Sequence, residues 1–471
     1  MLLNVAAMAM AGDHRMAGLH LALTIEVGLL LAAVYAYRKW MVEMGLERSL
    51  VGVAVIIGVL CSSFWGMESH LTILFVILCG WQFMRLDKHP TTGSWLLFGV
   101  RLEGMILSRL DDVFVALALI VSAAFDRRIG VFAKRLLLAG IPCCVLLIPY
   151  LLFNKMTFGH PMPVSGAIKS CFPHVSGHLE NIGPLGQLTG VVAIVGIALT
   201  LLKGASSAHC IRLVRAVSVG VLAQPTYTVL FTRDWSTRSF WYYATASLNC
   251  ALILDLAVET IRRRLDAPRS ARLFQGAVVA CSLLIALSGV ARSWLKLRGI
   301  NANPMNPIAM GQVLNHSHER FEEQLAHWMT ANLPANARLL TVDFPGRIAF
   351  LTDEDVVPLD DGLIDDYRYN NEIVQQGIGE FISRTHMAYY MGPICDSGAP
   401  CRYSYFSTTF PGPEDGQQVE IYSPLYRVPA GSFHLEKKDL ILDMNQAFGT
   451  TLGHGHLGVW KLEPQGPMGT N

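Results

Sequence analysis

Ten apolar runs, each separated from the next by a short polar stretch, pattern the chain up to residue 292: 17–37, 50–65, 71–85, 95–107, 112–125, 136–153, 186–202, 216–232, 240–258 and 275–292. A helix needs roughly 20 apolar residues to cross a bilayer, fewer if the span is short. The pattern therefore predicts one membrane helix per run. The pair 95–107 and 112–125 is interrupted by Arg109, Asp111 and Asp112, and each half is read as one short or tilted crossing. Beyond residue 300 the pattern changes. His316 to Met329 suits a surface helix, and Asn371 to Arg384 looks helical. Arg338 to Val342, Ile348 to Leu351, Val356 to Leu359, Met387 to Met391, Val419 to Tyr422 and Leu457 to Leu462 read as strands. The predicted fold is an α-helical polytopic membrane protein of about ten membrane segments. That domain covers residues 1–295, and an α/β domain over residues 296–471 follows it.

Composition agrees with the pattern. Hydrophobic residues make up 52% of the 471 and charged residues 15%, against about 25% charged in soluble domains. The net charge of +1 exerts no general pull on nucleic acid. Met1 to Arg15 has no charged start before an apolar core, so no signal peptide is expected. Most cysteines, among them Cys61, Cys79, Cys143, Cys144, Cys250 and Cys281, sit in apolar runs and read as small hydrophobic fillers. Cys395 and Cys401 lie close together in polar sequence and form a disulfide candidate if that region faces an oxidising compartment.

Charge bias orients the spans. With ten crossings, the loops on one side hold seventeen Lys and Arg and those on the other side six, and the richer side is cytoplasmic. The N-terminus, the 154–185 loop and everything after Arg292 are then extracytoplasmic.

Ionisable residues at membrane depth are costly and are candidates for function. Four clusters fall at the outward ends of predicted spans: Glu68 with His70; Arg109, Asp111 and Asp112; Lys155, His160 and Lys169; and Arg233 to Arg238. A ring of Arg and Lys suits an anionic headgroup, the guanidinium as a fork and the ammonium as a point charge. Lys155, Lys169, Arg238 and Arg109 are the candidate phosphate contacts, and Glu68, His70, Asp111, Asp112 and His160 the supporting acidic or polar groups. Plainer roles exist for each. Glu68 suits a solvated turn, Arg109 with Asp111 or Asp112 an ion pair closing a helical hairpin, Arg233 and Arg238 snorkelling side chains, and Lys155 and Lys169 ordinary loop lysines. His316, His318, His327, His454 and His456 lack acidic or thiol partners at ligand spacing, so no metal site and no cofactor is expected. Asp353 to Asp366 reads as a solvated acidic loop.

Several stretches resemble the bacterial polytopic glycosyltransferases of the GT-C superfamily. Gly66-Met67-Glu68-Ser69 is similar to that group's Gly-Leu-Glu-Thr link between spans. Leu107-Ser108-Arg109-Leu110-Asp111 is similar to its Arg-Pro-Asp segment, with Leu110 for the proline. Asn154 to Lys169 resembles its Tyr-Phe-Gly…Leu-Pro-Asn-Thr…Ala-Lys loop, with Phe158-Gly159, Pro163 and Lys169 matching. Gly346 to Phe350 and Val357 to Leu363 resemble two of its later strands. The resemblance implies an enzyme of the inner (cytoplasmic) membrane that moves a sugar from a polyprenyl-phosphate donor to a cell-envelope glycan or protein acceptor, with no nucleic acid partner.

The family's first span and its acidic outer loop have no counterpart in this sequence. The resemblance therefore leads one to expect either a piece of a longer enzyme or a member that has lost catalysis, and no catalytic residue is carried over. Two other functions stay open: a non-catalytic membrane scaffold or glycan-binding protein, and a lipid or solute transporter. Transporters tend to be built from repeats, and this sequence shows none.

Overall fold

In a computed structural model of the chain, each of the ten apolar runs carries a helix over most of its described residues. The structure describes residues 2–12, 14–46, 50–62, 68–162, 166, 170–201, 208–232, 243–265, 268–297, 317–341, 345–352, 354–359, 367–394, 401–402, 407–411, 416–423, 425–426, 428–448 and 456–462. Contacts divide the chain into two compact units, Met1–Pro149 with Cys171–Ala302 and Tyr150–Ser170 with Asn303–Asn471.

The first unit is helical. A short α1 (Leu2–Ala11) leads into α2 (Arg15–Glu43), α3 (Val51–Ser62), α4 (Ser69–Lys88), α5 (Thr92–Ser108), α6 (Val113–Ala124) and α7 (Ile129–Phe158), of which the part from Tyr150 on is counted with the second unit. It continues with α8 (Gly183–Leu199), α9 (Ala208–Phe231), α10 (Ala244–Arg264) and α11 (Pro268–Leu297). Among the described residues seven segments are long and apolar enough to cross a membrane: those of α2, α4, α7, α9, α10 and α11, and α8 together with the 3-10 turn Leu179–Ile182 that precedes it. The other three are shorter: α3 and α6 have 12 residues each and α5 has 17. At 1.5 Å per residue, a 12-residue helix reaches only about 18 Å.

The break between α5 and α6 has a local cause. Thr91 caps the start of α5 by accepting a hydrogen bond from the Ser94 amide. At the far end Arg109 adopts an extended backbone, φ −152° and ψ 118°, and a single 3-10 turn, Leu110–Asp112, leads into α6. The two halves are therefore separate helices.

The core of this unit is built on Tyr37 and Trp40 of α2, Phe83 of α4 and Phe98 of α5, all essentially inaccessible. Large apolar side chains along α7 and α11, such as Leu137, Val145, Leu284 and Leu287, are exposed. Exposed apolar surface on that scale marks a face made for a non-aqueous neighbour, as expected of a multi-pass membrane protein. One polar clamp runs through the core. The Asp255 carboxyl of α10 accepts hydrogen bonds from the Tyr37 hydroxyl of α2 at 2.8 Å and from the Gly52 amide of α3 at 2.9 Å.

The second unit mixes helices with two sheets. Its helices are α12 (Ser317–Asn332), α13 (Pro345–Leu351), α14 (Tyr367–Gln376), α15 (Ile378–Arg384) and α16 (Met444–Phe448). The strands are β1 (Arg338–Thr341), β2 (Asp355–Pro358), β3 (Tyr389–Ile394), β4 (Cys401–Arg402), β5 (Ser407–Pro411), β6 (Gly416–Ser423), β7 (Val428–Glu436), β8 (Leu440–Asp443) and β9 (His456–Lys461). One sheet has the order β2-β1-β3-β9-β8 and the other β4-β5-β6-β7. In the first, β1 lies parallel to β2 and β3, and β9 runs antiparallel to β3 and β8. Val419, Ile421, Phe433 and Leu435 of the second sheet share a core with Ile373, Phe381, Tyr390 and Trp460.

One expectation is corrected here. Ile348 to Leu351, expected as a strand, is the second half of α13; that helix begins on Pro345, whose fixed φ suits a first helical position. Asn371 to Arg384, expected to be helical, lies on α14 and α15. It breaks at Gly377, where φ is +81°, a conformation that glycine adopts without steric penalty.

Candidate functional site

A polar group centred on Arg109 draws together α4, the turn between α5 and α6, α9 and α10. The Arg109 side chain is 5% exposed. Nε and Nη2 donate to the two oxygens of Asp111, each at 3.1 Å, and Nη1 donates to Glu68 Oε1 at 2.9 Å. The Asp111 contact is a fork on a carboxylate, the strongest arrangement a guanidinium makes. It closes the turn between α5 and α6. The Glu68 contact ties that turn to the start of α4.

Two further bonds extend the cluster. The Gln224 amide of α9 donates to Asp111 Oδ2 at 2.6 Å, and the Thr245 hydroxyl of α10 donates to Asp112 Oδ1 at 2.6 Å. Asp112 precedes α6 but forms no side-chain cap with it. Its carboxyl reaches across to α10 instead. Close by, the Thr72 hydroxyl donates to Ser108 Oγ at 3.2 Å and links α4 to α5 once more.

Three carboxyl groups thus stand around one guanidinium. For Arg109, burial disfavours the charge, but the nearby carboxylates of Asp111, Asp112 and Glu68 outweigh it and hold the pKa above its ordinary value. Asp112, in the turn outside the helices, is 2% exposed. Burial first, and then the negative charge of Asp111, push its carboxyl above the usual range, while the Thr245 hydrogen bond and Arg109 pull the other way. The groups in this cluster sit in unlike environments although they are neighbours in sequence, a pattern that marks sites of proton chemistry.

Of the residues singled out from the sequence, the structure brings Glu68, Arg109, Asp111 and Asp112 together. His70 lies in the first turn of α4, fully buried, with Nδ1 3.8 Å from Glu26 Oε2 of α2. Lys155 and His160 belong to the other unit. Lys155 is exposed in the last turn of α7. The His160 ring stacks on Tyr367 of α14, centroids 4.1 Å apart, and Arg368 Nη2 donates to the Met156 carbonyl at 2.5 Å. The stretch after α7 is therefore held to α14 by a ring stack and a main-chain contact. Lys169, Arg238 and Cys395 lie outside the described residues, as does the Cys401 side chain, and with them the disulfide candidate. Among the described residues no group of three or more metal-ligating side chains converges.

Gln224, Thr245 and Glu26 were missed in the sequence. Glu26 carried a signal, as the only acidic residue in its apolar run. Gln224, beside Pro225 in α9, carried a weaker one. Thr245 carried none, because threonines in membrane helices commonly bond their own backbone.

No protein-family model matches the chain, and a search of curated proteins finds no match.

Proposed function

We propose that this protein is a membrane glycosyltransferase of the GT-C type, carrying a sugar from a polyprenyl-phosphate donor to an acceptor on the outer face of the cytoplasmic membrane. One observation supports the reading above the others. The two motifs that resemble the family's link and its Arg-Pro-Asp segment meet side chain to side chain through Arg109, at 2.9 Å to Glu68 and 3.1 Å to Asp111.

In such a transfer an acceptor hydroxyl attacks the anomeric carbon, and the polyprenyl phosphate leaves with the bonding electrons. The charge that develops on the phosphate needs cations already in place. The Arg109 cluster has more acid than base, so its part is to orient Arg109 and the acceptor. Of the phosphate contacts expected from the sequence, Lys155, Lys169, Arg238 and Arg109, the last is already held by Asp111 and Glu68, so the positive charge is left to the other three.

The test uses the full chain in lipid nanodiscs with a labelled polyprenyl-phosphate sugar. Wild type is expected to bind the donor and pass the label to cell-envelope glycan or protein. Lys169→Ala and Arg238→Ala are each expected to weaken donor binding about tenfold, the loss of one charged contact worth about 1.4 kcal/mol. No donor binding by wild type, or unchanged binding in both variants, sinks the proposal.

The second reading is a non-catalytic scaffold that binds envelope glycan. It draws on the way Glu68 and Asp111 hold Arg109, as a structural ion pair would. Donor binding without transfer would favour it.

A further inference from the structure

From the geometry of the cluster we infer that Asp112 is its proton-exchanging group and receives the proton that the acceptor hydroxyl loses. The acceptor step rests on the sugar-transfer reading; the proton-binding role does not.

Asp112 differs from its neighbours in its partners. Asp111 accepts from Arg109 with both oxygens and from Gln224, and Glu68 accepts from Arg109. Asp112 makes no ion pair among the described residues. Its Oδ1 accepts from Thr245, while Oδ2 is buried and has no hydrogen-bond partner among the described residues. An ionised oxygen left buried without a donor is costly, and a proton on Oδ2 removes that cost. The charged groups that act on it are Asp111 and Arg109 in its own turn and Glu68 before α4; α9 and α10 contribute the neutral Gln224 and Thr245. A helix cap is the plain alternative, but the carboxyl does not cap α6.

The transfer starts from the ionised carboxylate, after Asp112 has lost its resting proton to solvent: the acceptor O–H bond breaks and its proton goes to Asp112 Oδ2. The acceptor oxygen bonds to the anomeric carbon, and the bond from that carbon to the phosphate oxygen breaks, its electron pair leaving with the polyprenyl phosphate. Asp112 later returns the proton to solvent. Oδ2 is enclosed at rest, so direct transfer from the acceptor needs a substrate-bound state that uncovers it, whereas slow opening of the cluster suffices for an equilibrium titration.

Two measurements test this separately. The first is infrared titration of the protein in lipid without substrate. It should show a carboxylic acid C=O band that is absent in Asp112→Asn and fades as pH rises. In Thr245→Val the band should persist to higher pH, because the lost hydroxyl donor stabilised the charged form. Identical spectra for wild type and Asp112→Asn overturn the proton-binding role.

The second is transfer. Asp112→Asn, melting like wild type and binding donor equally, should lose about a hundredfold or more in rate, the range for removal of a general base. The rise of the wild-type rate with pH should move to higher pH in Thr245→Val. A wild type that transfers and an Asp112→Asn variant within tenfold of it overturn the acceptor step alone. A wild type without transfer overturns the sugar-transfer reading and leaves the infrared band to decide Asp112.

Discussion

Arg109→Met is expected to unfold the helical unit more easily by about 3 kcal/mol, within the range for removing one partner of a buried pair. The substitution keeps an unbranched apolar stem and removes the charged guanidinium, leaving Asp111 and Glu68 facing each other with no counter-charge between them. The loss should show as a lower melting temperature in lipid or detergent at neutral pH. It should shrink when Asp111→Asn is added, because the second change removes one of the stranded charges. Contacting partners in one network are the case in which double mutants depart from additivity. Equal melting of wild type and Arg109→Met would mean that the cluster is held by its surroundings and that Arg109 contributes little to the fold.

A loss of similar size is expected for Gly52→Ala at the Asp255 clamp. A Cβ at position 52 would overlap both the Tyr37 hydroxyl and Asp255 Oδ2. The methyl group adds an overpacking penalty of about 1–3 kcal/mol. It also pushes apart hydrogen bonds to a carboxyl group, each worth about 1.5–3 kcal/mol when charged. Tyr37→Phe removes one of those bonds and adds no volume, so it should cost less than Gly52→Ala. The two variants compared by thermal unfolding in the same lipid give the order directly. Gly52→Ala melting with wild type would show that α2, α3 and α10 can move apart at no cost.

Much of the helical unit was legible in the chain because lipid imposes a one-dimensional rule. A segment that crosses needs a long apolar run whatever its neighbours are, so each run could be read by itself. The short helices were legible in the same way, since Arg109, Asp111 and Asp112 interrupt the pattern where the structure turns. The second unit was less so. Ile348 to Leu351 is an apolar run too short for periodicity to separate helix from strand, and its neighbour Pro345 decided for helix. Strands such as β7, with Pro429 and Gly431 inside it, carry residues depleted in strands and form because Ala430, Phe433 and Leu435 are buried.

The sequence by itself determined where helices run and which ionisable groups gather at their ends. Only the tertiary structure decided which of those groups face each other. Arg109 meets Glu68 across 41 positions, Gln224 meets Asp111 across 113, and Thr245 meets Asp112 across 133. Neutral polar residues in apolar helices change hydropathy too little to stand out. Their partners are set by which helix faces pack together, and no local pattern encodes that. The same packing placed Asp112 behind Asp111. It gave two adjacent aspartates different surroundings, one held by a guanidinium and the other left with a single hydroxyl donor.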